Sequence, residues 1–500
     1  MASTAIQTAI YTIAEIVKRT GGSLASNPAI SGKAKDNAVT SIAIDSRDCA
    51  AGCLFVALAG DQADGHDYVG AAVDAGAVAA LVSRPIDGVD CAQIVVPDTL
   101  QALGDLAVAA RLYHQLAGGH LVGITGSVGK TGTKEMLAHI LRKMTGCHAS
   151  KASFNNHIGV PLTIAALPED MPVAIQEMGM NAPGEIADLT LIALPDVAVI
   201  TRIADSHAGF FTDLSEIAAA KAEIFDGLAV DGIAVLNRDD EFFDDLSRRA
   251  NLAGAVRIIS FGQHEDAEFR LIATSNIDQK SGGIAVSADI AGTPLFFTLG
   301  MHAPHHAMNA IAVLAVINAL GLDVAEAAAL LADFGDLAGR GAVTNGNFGG
   351  AQITVIDDSY NAGPASMVAG LAGLGAKSAD ILVLSDMLEL GDTSATAHDA
   401  LAGPINAVAP RAVIAIGPHM HTLTASLDTR IDTMQAADSD AAFAHLETII
   451  TNGDRIFIKG SHGSGSWRVA ASLLAALDQS AASEPEDAPL PQAGEAPHAA

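Results

Sequence analysis

Cysteine is scarce in this 500-residue sequence, which contains only Cys49, Cys53, Cys91 and Cys147. Cys49 and Cys53 lie four positions apart, but no Cys or His pair follows them at the spacing of a metal site. So few cysteines exclude a disulfide framework, and buried free thiols are typical of a reducing cytoplasm. We therefore predict a cytoplasmic protein.

Basic residues are scarce as well. The sequence has 27 lysines and arginines against 57 aspartates and glutamates, a formal net charge of −30. This balance argues against binding to nucleic acid or to an anionic membrane through a general basic surface. An anionic substrate is still compatible with it, because a few local cations can dominate a cleft. We expect no nucleic-acid partner.

Long hydrophobic runs are also missing. The longest uncharged apolar run, Met308–Leu322, is interrupted by Asn309, Asn318 and Gly321. It is shorter than the ~20 residues that span a bilayer, so it predicts a buried helix. The N-terminal Met1–Ile10 lacks a basic start followed by an apolar block, and we expect no signal peptide and no stable membrane insertion.

The most informative segment that is present is glycine-rich, Gly123–Glu135. It follows an apolar run that reads as a strand end and precedes Met136–Arg142, whose apolar spacing predicts a helix. A glycine-rich turn between strand and helix directs backbone N–H groups into one concavity that suits phosphate. Lys130 would reach the terminal phosphates, and the Thr131 hydroxyl would hold Mg²⁺.

The spacing of this segment departs from the strict phosphate-loop pattern, because Ile124 stands where the first glycine is expected. An ordinary glycine-rich turn beside a lysine is the alternative. The order of Gly129, Lys130 and Thr131 between strand and helix favours a phosphate loop. The predicted nucleotide contacts in this loop are Gly126, Ser127, Val128, Gly129, Lys130, Thr131 and Gly132.

Five hundred residues exceed one hydrophobic core, so we expect about three domains. The predicted class is α/β, with a smaller N-terminal α/β domain (1–115), a central P-loop-type, mainly parallel sheet (116–335) and a C-terminal Rossmann-like domain (336–480). The Ala-, Pro- and Glu-rich residues 481–500 are expected to be a disordered tail, and 258–299 a β insertion or edge. The main strand candidates are Ala43–Arg47, Leu54–Leu58, Val173–Ile175, Val197–Ile200, Ile233–Leu236, Ile353–Ile356, Ile381–Leu384, Ala412–Ile416 and Arg455–Ile458.

Several polar residues lie where predicted strands end, which is where open α/β sheets bind ligands. Glu177 and His207 could coordinate the Mg²⁺ of a nucleotide, or each could be a solvated loop residue. Lys221 lies on a helix of strong helix formers, where a lysine is usually on a solvated face. Asn237 and the cluster Asp357–Asn361 could be ligand contacts or turn residues.

Together these motifs resemble the Mur ligase family over residues 40–470. The resemblance implies an ATP- and Mg²⁺-dependent ligase, with one domain each for a UDP-sugar, ATP and an amino substrate. It is carried, in the order of the family, by Thr125–Thr131, Phe154–Thr163, Gln176–Gly179, His207, Ala220–Ile224, Leu236–Asp240 and Gly339–Arg340.

The resemblance also implies a role for each matching residue. The lysine that corresponds to Lys221 is carbamylated in the family and holds a second Mg²⁺. The implied catalytic residues are Lys130, Lys221 and His207, and the implied metal ligands are Thr131, Glu177, His207 and Lys221. Further implied nucleotide contacts are Asn237, Asn309, Arg340 and Asp357, and implied substrate contacts are Asp45, Ser46, Arg47, Asn155, Asn156, Tyr360 and Asn361.

Two segments, Asp357–Met367 and Asp386–Gly391, resemble the members that join D-alanyl-D-alanine to UDP-N-acetylmuramoyl-tripeptide. The tripeptide-forming members would show an Asp-Asn-Pro-Arg-type motif, which is not found here. The implied reaction passes through an acyl-phosphate and releases ADP and phosphate, and we expect a monomer. Asp64–His66 resembles a second segment that holds the UDP-sugar.

The sequence also departs from the family at single positions. Gly132, His306, Gly363, Ser385 and His462 stand where other residues are usual. Two alternatives are another ligase of the superfamily, either tripeptide-forming or of the folylpolyglutamate type, and a nucleotide-binding switch without ligation. The implied UDP-sugar segment in the first domain argues against the switch.

Overall fold

The chain forms two compact units, Met1–Gly335 and Asp336–Ala500. The predicted division into three domains, with boundaries near residues 115 and 335, stays a prediction. A computed structural model describes residues 9–25, 38–60, 63–151, 153–204, 211, 213–277, 283–302, 306–374 and 381–477.

The first part of unit one contains a five-stranded sheet in the order β2-β7-β6-β5-β4, parallel except for the antiparallel β2. Two short strands of the same region, β1 and β3, form a separate antiparallel pair. The elements are β1 (Tyr11–Thr12), α1 (Ile13–Thr20), β2 (Ser23–Leu24), β3 (Ala38–Val39), β4 (Ser41–Ala43), β5 (Cys53–Val56), α2 (Val69–Asp74), β6 (Ala77–Val82), β7 (Ala92–Val95) and α3 (Thr99–Leu116).

The predicted strand Ala43–Arg47 is wrong beyond its first residue. Strand β4 ends at Ala43, and Ser46–Asp48 forms a 3₁₀ turn. The side chain of Asp45 accepts the backbone N–H of Arg47 at 3.0 Å. An aspartate that bonds its own backbone two residues on stabilises a turn in place of a strand.

The rest of unit one is built on a nine-stranded sheet in the order β16-β15-β14-β13-β12-β11-β8-β10-β9. Its strands run parallel from β9 to β14, and β15 and β16 continue the sheet as antiparallel strands. The segment 258–299, predicted as a β insertion or edge, contains β14, β15, β16 and most of β13, with β16 at the edge. The strands are β8 (His120–Thr125), β9 (Cys147–Ala149), β10 (Val173–Glu177), β11 (Val197–Ile200), β12 (Ile233–Asn237), β13 (Arg257–Gly262), β14 (Phe269–Asn276), β15 (Ile284–Ile290) and β16 (Thr293–Leu299).

Helices connect these strands. The apolar run at Met308–Leu322 lies largely in a buried helix, as predicted, and among the described residues no helix has the length and apolar character needed to cross a membrane. The helices are α4 (Lys130–Met144), α5 (Gly159–Ala165), α6 (Glu185–Ala193), α7 (Leu214–Ala222), α8 (Phe243–Leu252), α9 (His306–Ala319) and α10 (Val324–Leu330).

The second unit has a six-stranded sheet in the order β17-β18-β22-β19-β20-β21, parallel except for the edge strand β17. The mixed α/β class is therefore confirmed. The elements are β17 (Ala342–Phe348), β18 (Ala351–Asp358), α11 (Pro364–Leu374), β19 (Ile381–Ser385), α12 (Ser394–Asp399), α13 (Ala402–Val408), β20 (Ala412–Ile416), α14 (Pro418–Thr424), β21 (Asp432–Ala436), α15 (Ser439–Ile449), β22 (Arg455–Lys459) and α16 (Ser466–Ala476).

Candidate active site

The glycine-rich segment joins the end of β8 to the start of α4, as the sequence predicts. Gly126 and Gly129 have φ values of 141° and 88°, which side chains other than glycine rarely adopt. The Lys130 ammonium donates to the carbonyl oxygens of Gly126 at 2.6 Å and Ser127 at 3.3 Å. The loop thus places a cation and a helix N-terminus around one concavity, which suits a polyphosphate.

A threonine that the sequence analysis missed fixes this loop. Thr201 follows β11, and its hydroxyl lies 2.6 Å from the carbonyl oxygen of Val128 and 3.2 Å from that of Thr125. A Cβ on Gly126 would lie 2.0 Å from the Thr201 hydroxyl oxygen, so only glycine fits there. Its place after an apolar strand is the signal that could have identified Thr201.

Glu177 ends β10, beside β8, and is 1% exposed. Its carboxylate accepts the Thr131 hydroxyl at 2.9 Å and the Asn155 side-chain amide at 2.9 Å. Ser153 extends the group, 3.4 Å from the Thr131 hydroxyl oxygen. The solvated-loop alternative for Glu177 is therefore wrong, and three of the predicted site residues meet in one buried cluster.

Lys221 is also buried, with 1% of its surface exposed. The solvated-face alternative is thus wrong for this residue. Burial is the main cause that lowers the pKa of Lys221 well below its usual value, and the charge of Lys130 lowers it further. Glu223 and Glu177 oppose this shift. Lys130 and Glu177, which belong to the phosphate loop and the adjacent strand end, are thus among the charges that influence the pKa of Lys221.

The side chain of Asn309, on α9, lies close to the glycines of the phosphate loop. A Cβ on Gly129 would lie 2.9 Å from its side-chain oxygen, and one on Gly132 3.0 Å from its side-chain nitrogen. Gly132 replaces the Ser or Thr that the resemblance leads one to expect, and a side chain there would crowd Asn309. His306, another departure, is buried on the same helix.

Asn237 lies at the end of β12 and is mostly buried. Its amide donates to the carbonyl oxygen of Thr201 at 3.1 Å, and its side-chain oxygen accepts the N–H of Asp239 at 3.0 Å. Asn237 therefore stabilises the turn after β12 and also contacts Thr201, the residue that bonds to the phosphate loop.

The predicted UDP-sugar segment lies at the carboxyl end of β4, in the five-stranded sheet. Arg47 is largely exposed and donates from Nε to both Asp45 carboxylate oxygens, at 2.9 and 3.1 Å. These bonds lower the pKa of Asp45 to about 2. Ser46 opens the 3₁₀ turn between them. The side chain of Asn156, in contrast, accepts the N–H groups of Ile158 and Gly159, just before and at the start of α5.

In unit two, the predicted contacts gather at the carboxyl end of β18. Asp357 accepts the N–H of Gly339 at 2.9 Å and the Ser359 hydroxyl at 2.5 Å. The Arg340 guanidinium lies over the Tyr360 ring, 4.1 Å from its centroid. A cation above an aromatic face is attracted by the ring quadrupole.

Lys459, which the sequence analysis did not select, ends the neighbouring strand β22. It is 3% exposed, and its ammonium donates to Asp358 at 2.7 Å and to the Asn361 carbonyl oxygen at 3.1 Å. His462 stacks on Trp467 with the ring centroids 5.3 Å apart. The hydrogen bond from Lys459 to the Asn361 carbonyl oxygen places the main chain of Asn361 at this edge of the sheet.

His207, predicted as a metal ligand, lies outside the described residues. Within the described part of the chain, no three His, Cys, Asp or Glu side chains form a group that could hold a metal ion. Of the remaining predicted metal ligands, Thr131 and Glu177 are hydrogen-bonded to each other, and Lys221 is a buried residue whose pKa is influenced by Lys130 and Glu177. The parallel sheet, phosphate loop and buried carboxylate define unit one as a nucleotide-binding fold of the phosphate-loop class.

Three family models match successive parts of the chain: the Mur ligase family catalytic domain (38–111), the Mur ligase middle domain (124–317) and the Mur ligase glutamate ligase domain (339–462). A relative from Rickettsia prowazekii, named UDP-N-acetylmuramoyl-tripeptide–D-alanyl-D-alanine ligase, is 32% identical over 84% of this chain and 92% of its own. The chain belongs to the Mur ligase family.

Solved structures agree with this assignment. The crystal structure of MurF from Acinetobacter baumannii has a TM-score of 0.79 and 27% identity, over 94% of this chain and 100% of that chain. The MurF ligase from Thermotoga maritima in complex with ADP has a TM-score of 0.71 and 26% identity, over 87% of this chain and 97% of that chain. The resemblance inferred from the motifs is confirmed.

Proposed function

We propose that this protein is an ATP-dependent ligase that joins D-alanyl-D-alanine to UDP-N-acetylmuramoyl-tripeptide in the synthesis of peptidoglycan precursors. The main support is the similarity to a relative named for this activity over nearly its whole length. The cluster of Lys130, Thr131 and Glu177 beside the phosphate loop supplies the matching chemistry.

In the first step, the terminal carboxylate of the tripeptide attacks the γ-phosphate of ATP and forms an acyl-phosphate and ADP. In the second, the amine of D-alanyl-D-alanine attacks the acyl carbon and releases phosphate. Phosphoryl transfer needs positioning and charge stabilisation more than covalent participation by the protein. Lys130 and the loop from Gly126 to Gly129 would bind the phosphates and stabilise the transferred charge.

The residues present fit Mg²⁺, which would neutralise charge on the ATP phosphates. Glu177 and Thr131 offer oxygen ligands, the kind that Mg²⁺ prefers. The buried Glu177 carboxylate has neutral hydrogen-bond partners, Thr131 and Asn155, so a nearby cation would stabilise its charge. Two hydroxyls of the loop region, Thr125 and Ser127, are buried and lack a hydrogen-bond partner in the described structure.

Lys221 is proposed to act as a carbamate. Carbamylation consumes the neutral amine and dissolved CO₂, and the lowered pKa makes the neutral amine available at a lower pH than usual. The product would carry negative charge next to Lys130 and add an oxygen ligand for a second metal ion. Burial would protect the modified group from solvent.

The remaining assignments extend this proposal. Asp45, Ser46, Arg47, Asn155 and Asn156 would bind the UDP-linked substrate, and Asn237, Asn309, Arg340 and Asp357 the nucleotide. Tyr360 and Asn361 would contact the amino substrate in unit two. We further propose a cytoplasmic monomer with an N-terminal domain that ends near residue 115.

Phosphate release from ATP tests the proposal directly. It should require UDP-N-acetylmuramoyl-tripeptide and D-alanyl-D-alanine together, with a UDP-N-acetylmuramoyl-pentapeptide as the product seen by mass spectrometry. Phosphate release with single amino acids would identify another ligase of the superfamily. ATP hydrolysis that is indifferent to both substrates would contradict ligation.

A further inference from the structure

The phosphate loop packs against one side chain, that of Thr201, which follows β11. A Cβ on Gly126 would lie 2.0 Å from the Thr201 hydroxyl oxygen, and a Cβ on Gly129 would lie 3.6 Å from the Thr201 Cβ. Both glycines have positive φ values, which residues with a side chain rarely adopt. Two glycines of the loop therefore bring its main chain into contact with Thr201.

Three main-chain groups of the loop region are bonded to the two residues that follow β11. The Thr201 hydroxyl donates to the Val128 carbonyl oxygen at 2.6 Å, and the Thr201 N–H donates to the Thr125 carbonyl oxygen at 3.0 Å. The Ser127 N–H donates to the Arg202 carbonyl oxygen at 2.8 Å. Of these three bonds, only the one to Val128 depends on a side chain.

Thr201 is itself fixed in position, with 4% of its surface exposed. Its carbonyl oxygen accepts the side-chain amide of Asn237, at the end of β12, at 3.1 Å. Because β11 lies between β8 and β12, Thr201 is bonded to both neighbouring strands or their ends. A β-branched side chain also has little χ1 freedom. The hydroxyl is therefore presented to Val128 with little conformational entropy left to lose.

The bond to Val128 sets the orientation of one peptide group of the loop. A peptide group is planar and trans, so the Val128 carbonyl and the Gly129 N–H point in opposite directions. Because the carbonyl points at Thr201, the Gly129 N–H points away from it. Gly129 is left-handed and forms the N-cap of α4, which starts at Lys130. Such a change of hand between successive residues is typical of backbone concavities that bind anions through N–H groups.

We propose that Thr201 is a positioning residue for ATP, whose hydroxyl holds the Val128–Gly129 peptide group with its N–H directed at the bound phosphates. The inference rests on the proposed function, since it assigns the phosphates of ATP to this loop. A donor that is already oriented costs no reorganisation when the ligand binds or reacts. Loss of the Thr201 hydroxyl should therefore weaken phosphate binding and slow phosphoryl transfer, while the sheet stays folded.

Three variants separate the hydroxyl of Thr201 from the shape of its side chain. Thr201→Val keeps the shape without the hydroxyl, Thr201→Ser keeps the hydroxyl, and Thr201→Ala removes it without any change that could overpack the site. Titration calorimetry of the full chain with ADP and Mg²⁺ should show an affinity about three- to tenfold lower for Thr201→Val and Thr201→Ala, because one hydrogen bond is lost. The affinity of Thr201→Ser should match that of the unaltered protein.

Steady-state kinetics supply a second measurement. The rate of phosphate release at saturating ATP should fall in Thr201→Val and Thr201→Ala, whereas the KM for D-alanyl-D-alanine should stay unchanged. A general loss of structure would instead change both quantities.

Thr99→Val is the matched control for Thr201→Val. The Thr99 hydroxyl is also buried and also donates to a main-chain carbonyl oxygen, that of Ala57 at 2.9 Å, but Thr99 begins α3. This variant should lose one hydrogen bond of the same kind and leave the ADP affinity unchanged.

Unchanged ADP affinity and unchanged rates in Thr201→Val and Thr201→Ala overturn this inference alone. An equal loss of ADP affinity in Thr99→Val and Thr201→Val also overturns it, because the effect would then be one of general stability. An unaltered protein that binds ADP but does not ligate overturns the proposed function, and the ADP affinities of the variants still decide the role of Thr201. An unaltered protein that does not bind ADP overturns both.

Discussion

The two units place polar residues at the same kind of position, the carboxyl edge of a parallel sheet, but they build that edge differently. In unit one, glycines at 126 and 129 bring main chain close to the site, and Lys130 bonds to loop carbonyl oxygens. In unit two, the edge is fixed by side-chain pairs such as Lys459 with Asp358. The first edge therefore presents glycine-rich main chain beside a few side chains such as Glu177, whereas the second is held mainly by side-chain pairs.

The two edges are suited to recognising different ligands. Backbone N–H groups and a helix N-terminus bind phosphate whatever the rest of the ligand is. Individually positioned side chains, such as that of Tyr360 in its proposed role, would instead distinguish one amine from another. Unit one would therefore supply the chemistry that a family of ligases shares, and unit two the choice of the amino substrate.

The largest effect is expected from removing the Lys130 ammonium, which donates to carbonyl oxygens of the phosphate loop. Lys130→Ala should lower the rate of ligation on the order of 100-fold or more at saturating ATP, because a preorganised charge is lost. The melting temperature should change little. Initial rates of phosphate release and a thermal melt measure both quantities.

Lys143→Ala is the control for this variant, because Lys143 is on the same helix but forms an exposed pair with Asp333 at 3.0 Å. Its rate should equal that of the unaltered protein. Near-normal turnover in Lys130→Ala would contradict the assignment of the phosphate loop.

Substitutions of Lys221 test whether the site at the phosphate loop of unit one also needs an anionic group. Lys221→Ala should lose most activity, and formate or acetate should restore part of it by occupying the vacated carboxylate position. Lys221→Arg should not be rescued, because it keeps a positive charge beside Lys130 and cannot form the carbamate. Activity is measured over a titration of each carboxylate, and the mass of the unaltered protein with and without bicarbonate.

The pH dependence follows from the direction of the Lys221 pKa shift. A lowered pKa means that the neutral amine, and so the carbamate, should form at pH values where an ordinary lysine is still protonated. Bicarbonate should therefore stimulate the protein near neutral pH. Full activity of Lys221→Ala without any added carboxylate would remove the second metal site from the mechanism.

A substitution at the carboxyl edge of the sheet in unit two should mainly change the free energy of unfolding. Lys459→Met leaves Asp358 without its partner in a mostly buried position, and we expect a loss of about 2 kcal/mol in the free energy of unfolding. The single tryptophan of the sequence, Trp467, lies in unit two, so its fluorescence in urea reports on that unit. The KM for ATP should stay unchanged.

Arg430→Met provides the comparison in the same unit, because Arg430 and Asp428 form an exposed ion pair. It should leave the urea midpoint unchanged, since exposed pairs contribute little. Equal midpoints for Lys459→Met and Arg430→Met would mean that the edge of unit two is not held by its side-chain pairs.

The edge of unit one that carries the phosphate loop could be predicted from the sequence. The edge of unit two, which is held by side-chain pairs, could be predicted only in part. Glycine order and strand–helix context are local signals, so they located the phosphate loop. Glu177 was found because it follows an apolar strand directly. Lys459 and Asp358 are 101 residues apart, and they meet because β18 and β22 are neighbours, an order that local patterns do not specify.

The burial of single polar residues could not be predicted from the sequence either. Lys221 lies on an alanine-rich helix, where no polar stripe marks the solvent side, so its burial follows only from packing. Thr201 was missed for a similar reason, because its bonds to Thr125 and Val128 depend on the parallel pairing of β11 with β8. Local turn chemistry explains the error at Ala43–Arg47, where Asp45 competes with the strand.

The smallest expected effect concerns residues that belong to neither edge. The segment from Ser480 to Ala500 contains one leucine and no other large apolar residue, and it is rich in alanine, proline and glutamate. Such a composition cannot bury enough apolar surface to offset the entropy of ordering. A chain truncated before Ser480 should keep its rate of phosphate release, its KM values and its melting temperature. A lower melting temperature with an unchanged Trp467 transition in urea would show that the segment stabilises unit one, and a shifted Trp467 transition would show that it stabilises unit two.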